Sequence, residues 1–165
     1  MSDLFSVKDK VVLITGSSRG LGASLASGFA DHGAKVIING TNQRTVDQFV
    51  EEVKAKGGYA TGYAFDTSNS QQVILKIAAI EEENGPIDVL INNAGIHRRA
   101  PLEEMSETDW RKVIDINLNA AFIVSKYVAQ GMIARRQGKI INITSLMAEG
   151  ARTSTGNYAA AKGGL

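Results

Sequence analysis

Tyr158 and Lys162 stand four residues apart, a spacing that on an α-helix brings phenol and ammonium side by side on one face. A free phenol has a pKa of about 10 and is a weak base at neutral pH. A cation held within about 4–6 Å favours its ionised form and moves it toward the range of a general acid/base. Ser145 carries a hydroxyl able to donate to a substrate oxygen, and Asn117 is an amide set between Ile116 and Leu118. Proton exchange with a carbonyl or alcohol oxygen is the chemistry this set supports. Tyr-x-x-x-Lys also occurs on ordinary solvated helix faces, so the surrounding elements have to decide.

The strongest of those elements is Val11-Val12-Leu13-Ile14-Thr15 running into Gly16-Ser17-Ser18-Arg19-Gly20-Leu21-Gly22. A β-branched run, a glycine turn and a helix start make an anion site. Backbone N–H groups point outward, the helix dipole favours negative charge, and missing side chains allow close approach. The spacing Gly16-x-x-x-Gly20-x-Gly22 differs from G-x-G-x-x-G, and no Lys-Ser/Thr pair follows as in a nucleoside-triphosphate loop. Gly16, Ser18, Arg19, Gly20, Leu21 and Gly22 are the candidate pyrophosphate contacts.

Stepping along the chain, strand and helix patterns alternate. Strands are expected over 11–15, 35–39, 59–65, 88–92 and 139–144. Helices are expected over 20–32, 42–56, from 68 or 69 to 84, over 107–136 as one long helix, and from 156 to 165. That order predicts an α/β fold: a Rossmann-like, doubly wound parallel sheet with helices on both faces. Such sheets bind ligands beyond the carboxyl ends of their strands.

Those ends carry Asn39-Gly40-Thr41-Asn42, Asp66-Thr67, Asn92-Asn93-Ala94-Gly95 and Thr144-Ser145, all polar or glycine. Near Gly40, where a carboxylate would hold the 2′-hydroxyl of NAD, there is none, whereas Arg19, Thr41, Asn42 and Arg44 are close by. A guanidinium suits a 2′-phosphate, so NADP(H) is favoured over NAD(H); Arg19 as a solvated turn residue is the alternative. Asp66 can accept from an adenine amino group or close an Asx-type turn, and Asn93, Ala94 and Gly95 can pass close to a flat ligand or simply turn the chain.

Composition sets the bounds. At 165 residues and 44% hydrophobic, the chain can build one core, and residues 1–165 read as a single domain. A net charge of +1 gives no electrostatic case for nucleic acid or an anionic membrane. There is no cysteine, hence no disulfide or thiolate metal site, and His32 and His97 are too scattered to predict a metal centre. Residues 1–5 lack a basic segment followed by an apolar one, and no apolar run approaches a membrane span. The expected location is the cytoplasm.

Taken together, Thr15-Gly16-x-x-x-Gly20-x-Gly22, Asp66, Asn92-Asn93-Ala94-Gly95, Asn117, Ser145, Tyr158 and Lys162 make the chain resemble the short-chain dehydrogenase/reductase family. The matches span nearly the whole chain in the family's order. The resemblance implies roles. Tyr158 would be the acid/base, and Lys162 would assist it and hold the nicotinamide ribose. Ser145 would orient the substrate oxygen, and Asn117 would hold a water linking Lys162 to solvent. It also implies a homo-oligomer, usually a tetramer.

Within the family, residues 92–101, 113–126 and 138–150 are similar to the branch that interconverts D-gluconate and 5-dehydro-D-gluconate. A sugar acid needs a cation for its carboxylate, and Arg99 is the candidate, with His97 as a hydroxyl partner; a solvated Arg98-Arg99 pair is the plain alternative. Two other readings stand beside it: a 3-oxoacyl carrier-protein reductase, which shares every catalytic position, and a fragment that binds cofactor without turnover. Members of the family continue past the Lys162 helix into further strands and a substrate lid. The chain is therefore expected to correspond to the N-terminal part of such an enzyme.

Overall fold

In the computed structural model, which describes residues 5–165, the β-branched runs become five parallel strands. They are β1 (Val11–Ile14), β2 (Lys35–Gly40), β3 (Tyr59–Ala64), β4 (Val89–Asn92) and β5 (Lys139–Asn142), in the sheet order β3-β2-β1-β4-β5. The chain winds outward from β1 to β3, then crosses back over β1 to place β4 on its other side. The reversal opens a crevice between the ends of β1 and β4, where open α/β sheets take ligands. Leu13 is the centre of the register, level with Ile37 on β2 and Leu90 on β4.

Alternation along β1 decides which helix each side chain meets. Val11 and Leu13 join Ile37 and Leu90 under Val73, Ile77 and Ile80 of α3 (Ser70–Asn84) and Val124 and Val128 of α5 (Ala120–Ala134). Val12 and Ile14 join Val36, Ile38 and Ile91 against Ala26 and Ala30 of α1 (Gly20–Asp31) and Val46, Val50 and Val53 of α2 (Gln43–Ala55). Burial of each such branched side chain stabilises the fold by about 1.5–3 kcal/mol. Both faces of the inner strands are covered, which explains their continuous apolar runs. The edge strand β5 differs: all four of its residues are exposed, Ile140 and Ile141 included.

Helix starts follow local chemistry. Asn42, Asn69 and Ser106 each accept a backbone N–H of the first turn that follows, at Thr45, Gln72 and Asp109. The expected single helix over 107–136 is divided. It consists of α4 (Glu107–Ile114), a π turn over Asp115–Asn119, and α5. The π turn leaves the apolar spacing almost intact, so periodicity alone does not reveal it, and it coincides with buried Asn117. The last helix, α6 (Gly156–Gly164), packs on a short 3-10 turn over Leu146–Ala148. The expected absence of a leader rests on residues 1–5, of which 1–4 lie outside the described residues. Among the described residues no helix is long and apolar enough to cross a membrane.

Candidate active site

The glycine turn is built against the loop after β4. Gly16 adopts φ +63°, and a Cβ there would lie 2.9 Å from Cα of Ala94. At Gly22 a Cβ would lie 2.6 Å from the Asn93 amide nitrogen and 2.8 Å from Cα of Ser17. Both positions therefore need glycine, the first for its left-handed backbone and the second for lack of space. Gly20, also left-handed at φ +59°, faces open space.

A ring of polar bonds holds the turn in shape. Thr15 Oγ1 accepts the N–H groups of Asn93 and Ala94, each at 3.0 Å. Asn93 returns its amide to the carbonyls of Thr15 (2.9 Å) and Gly16 (3.1 Å). From the other side, Gly16 donates to Asn39 Oδ1 at 3.0 Å, and Asn39 donates its own N–H to Ser17 Oγ at 3.0 Å. Buried bonds of this kind contribute about 0.5–1.5 kcal/mol each, and more is lost when one partner is left unpaired.

This turn fits a pyrophosphate. Whereas Asn42 and Asn69 cap α2 and α3, the start of α1 at Arg19 has no side-chain cap, and its first turn holds no acidic residue. Its free N–H groups and dipole are left for an external anion. The turn opens onto a cleft of about 550 Å³ lined by Gly16, Ser18, Arg19, Thr41, Asp66, Thr67, Ala94 and Gly95. Gly20 and Leu21 lie exposed at its rim, whereas Gly22 and Asn93 support it from behind.

Arg19 is exposed at the cleft and pairs with no carboxylate among the described residues. Gly40 offers no anion opposite it, and a Cβ there would lie 2.8 Å from Ser18 Oγ. Asp66 serves its own turn, with Oδ1 accepting from Ser68 N–H (2.9 Å) and Ser68 Oγ (2.7 Å). Oδ2 makes none of these bonds, so turn closure and ligand contact are compatible. Lys112, reaching the cleft from α4, adds a cation that strand-end reading overlooked.

At the other end of the crevice, α6 delivers Tyr158 and Lys162. Lys162 is only 4% exposed; its ammonium donates to the Ile143 carbonyl at 2.6 Å and lies 5.8 Å from the centre of the Tyr158 ring. Burial pushes the Lys162 ammonium below its ordinary pKa. Ile143 is two residues before Ser145, so the same bond ties Lys162 to the strand end that carries the hydroxyl. Ser145 Oγ accepts Met147 N–H at 3.2 Å and caps the 3-10 turn, keeping its own proton available to donate.

Asn117 and Asn157 fix the loop between β4 and α4. Asn117 accepts Ile96 N–H at 2.7 Å and donates to Ile96 O at 2.9 Å. Asn157, fully buried, donates to Arg98 O at 2.9 Å and accepts Tyr158 N–H at 2.7 Å. Between these anchors the His97 ring rests on Tyr158, centroids 4.6 Å apart and planes tilted by 41°. Burial, and then the nearby Arg99 charge, lower the His97 pKa and keep the imidazole neutral at pH 7. Arg98 is engaged by Asp109 (3.8 Å), whereas Arg99 is exposed and pairs with no carboxylate among the described residues. Asn157 escapes sequence reading, and Thr15 enters it only as the motif residue before Gly16, with no role of its own. Each is an unremarkable polar residue whose partners are remote in the chain.

Comparison with known proteins agrees with this geometry. Residues 10–165 match the family described as short chain dehydrogenase. The chain is 48% identical over 164 residues to 2-dehydro-3-deoxy-D-gluconate 5-dehydrogenase of Formosa agariphila, covering 99% of this chain and 62% of that protein. It is 47% identical over 163 residues to gluconate 5-dehydrogenase of Gluconobacter oxydans, covering 99% and 64%. A gluconate 5-dehydrogenase from Burkholderia cenocepacia, solved in complex with NADP and tartrate, superposes with a TM-score of 0.93 at 42% identity, over 97% of this chain and 63% of that one. The chain thus spans under two thirds of the length of each of these relatives. With its parallel sheet, glycine turn and matched sequence, the chain belongs to the short-chain dehydrogenase family.

Proposed function

We propose that this chain carries the cofactor-binding and catalytic residues of an NADP-linked oxidoreductase interconverting D-gluconate and 5-dehydro-D-gluconate. The observation that carries the reading is the buried Lys162 ammonium beside Tyr158, on the same sheet edge as an uncapped helix start and glycine turn. When bound, the nicotinamide supplies the hydride acceptor or donor. Tyr158 exchanges the proton with the substrate oxygen, and Ser145 donates a hydrogen bond to that same oxygen. Lys162, fixed by Ile143, keeps positive charge near the phenol and holds the nicotinamide ribose. Asn117 has one lone pair and one amide N–H beyond its Ile96 bonds, enough to hold a water leading from Lys162 to solvent.

At the other half of the cleft, Arg19 and Thr41 take the 2′-phosphate where no carboxylate opposes it, and Asp66 accepts from the adenine amino group. Gly16, Ser18, Gly20, Leu21 and Gly22 approach the pyrophosphate, and Thr67, Asn93, Ala94 and Gly95 form the wall between it and the nicotinamide. Arg99 is the carboxylate partner of a sugar acid. The names of the two relatives and the NADP and tartrate of the Burkholderia protein, tartrate being a hydroxy acid, support this choice. The reading also has the enzyme working as a cytoplasmic homo-tetramer.

The test is nicotinamide absorbance with D-gluconate and NADP, run against reduction of an acetoacetyl thioester by NADPH. Faster turnover of the sugar acid is expected. Preference for the thioester assigns a 3-oxoacyl reductase instead, and tight NADPH binding with no turnover of either assigns a binding fragment.

A further inference from the structure

The His97 imidazole is placed with unusual rigour for an exposed loop residue. Its neighbours on both sides are pinned, Ile96 by Asn117 through two bonds and Arg98 by Asn157 through one. Asn117 is 1% exposed and Asn157 is 0% exposed, so both anchors are rigid parts of the interior. The backbone at position 97 therefore has little freedom, and the ring is held at 4.6 Å from the Tyr158 ring. Such tilted contacts between rings are favourable and orientation-dependent. Neither ring nitrogen makes a hydrogen bond among the described residues. A neutral imidazole offers one donor and one acceptor, and here both remain unused.

We propose that His97 is a specificity residue of this site, hydrogen-bonding a hydroxyl on the carbon next to the one that Tyr158 serves, while its ring fixes the phenol's orientation. The proposal rests on the sugar-acid reading above and deepens it. A substrate whose reacting oxygen meets the Tyr158 hydroxyl presents the substituent of its neighbouring carbon to the ring stacked on that phenol. In D-gluconate both neighbours of the reacting C5 bear hydroxyls, whereas the carbons flanking the ketone of a 3-oxoacyl thioester, a methylene and a methyl in the acetoacetyl case, bear none. His97 thus favours the polyol, and Arg99, two residues on, is left for the distal carboxylate. A hydroxyl gains from the exposed His97 ring a hydrogen bond that a methylene cannot form, which favours the polyol several-fold.

Two substitutions separate the ring's two tasks. His97→Phe keeps the stack and removes both nitrogens. It is expected to raise KM for D-gluconate about five- to tenfold, to leave kcat within about threefold, and to leave the 13C signals of the Tyr158 ring in place. His97→Asn keeps hydrogen-bonding groups and removes the stack; KM is expected near the parent value, with the Tyr158 signals displaced. Independently of turnover, D-gluconate added with NADP should shift the 15N signals of the His97 ring, and hexanoate, which lacks hydroxyls, should not. The proposal is overturned if gluconate binds by calorimetry with those signals unmoved, or if His97→Phe leaves KM unchanged. A parent protein that neither binds nor oxidises gluconate overturns the sugar-acid reading itself, and a parent that oxidises gluconate while His97→Phe is silent overturns only the role of His97.

Discussion

Asn117 and Ile96 form a closed pair: the side-chain amide of one accepts the N–H and donates to the C=O of the other, at 2.7 and 2.9 Å. A backbone segment without secondary structure is thereby given the bonding of a strand by a single residue in a π turn. Asn117→Ala removes the partners of both half-buried Ile96 backbone groups and is expected to lower unfolding stability by about 1–3 kcal/mol. Urea denaturation of the two proteins measures this. A loss below about 0.5 kcal/mol means that water replaces the amide.

Tyr158→Phe keeps the ring against His97 and removes only the hydroxyl. Turnover is expected to fall by about 10²–10⁴-fold while NADPH binding changes by less than about threefold. Parallel titration and kinetics check both halves. A variant with most of its kcat intact removes Tyr158 from the proposed proton path.

For Arg19→Ala, the cost should fall on one cofactor. Loss of a phosphate-binding fork is expected to weaken NADPH by about tenfold or more and NADH by less than about threefold. Equal losses for the two cofactors would assign Arg19 to the pyrophosphate rather than the 2′-phosphate.

Away from the cleft, Tyr63 gives a pH signature. Its hydroxyl donates to Glu83 at 2.6 Å and accepts from Asn84 at 2.8 Å, and burial, followed by the bond to Glu83, pushes its pKa up to about 12. The neutral phenol is thus favoured in the folded state. Its contribution is full below the unfolded pKa near 10 and is lost as pH rises from there to about 12. The loss expected is about 1–3 kcal/mol. Denaturant stability of Tyr63→Phe, compared with the parent at pH 9 and at alkaline pH, should show the two converging as pH rises. A constant difference excludes this linkage.

Most of the scaffold is readable from residue patterns because apolar runs bounded by glycine or Asx turns have few alternatives in a buried parallel sheet. Strand β1 ends one residue early, at Ile14; Thr15 still donates its N–H to Ile91 O, while its hydroxyl is taken up by the β4 loop. The division at Asp115–Asn119 stays hidden, since one widened turn barely alters the apolar spacing. In the site, the glycines, Tyr158 and Lys162 announce themselves by type and spacing. The asparagines are only half legible. Asn39, Asn93 and Asn117 stand out by strand-end position or by resemblance and Asn157 does not, and none reveals its bonds in advance: each spends its amide on backbone groups that become neighbours only after the sheet is assembled.

The strand order also dictates a history for the chain. Ladders β1–β2 and β2–β3 join segments close in sequence, whereas Val11 must also donate to the Asp88 carboxylate, 77 residues away. Loop-closure entropy makes the nearer pairings the earlier ones, and synthesis from the N-terminus reinforces that order. The glycine turn straddles the two stages. It emerges early, but Gly16 and Gly22 receive their backing from Ala94 and Asn93 only when β4 docks. An anion that binds the finished turn therefore acts as a latch on late assembly, drawing nascent chains toward the fully wound sheet by mass action.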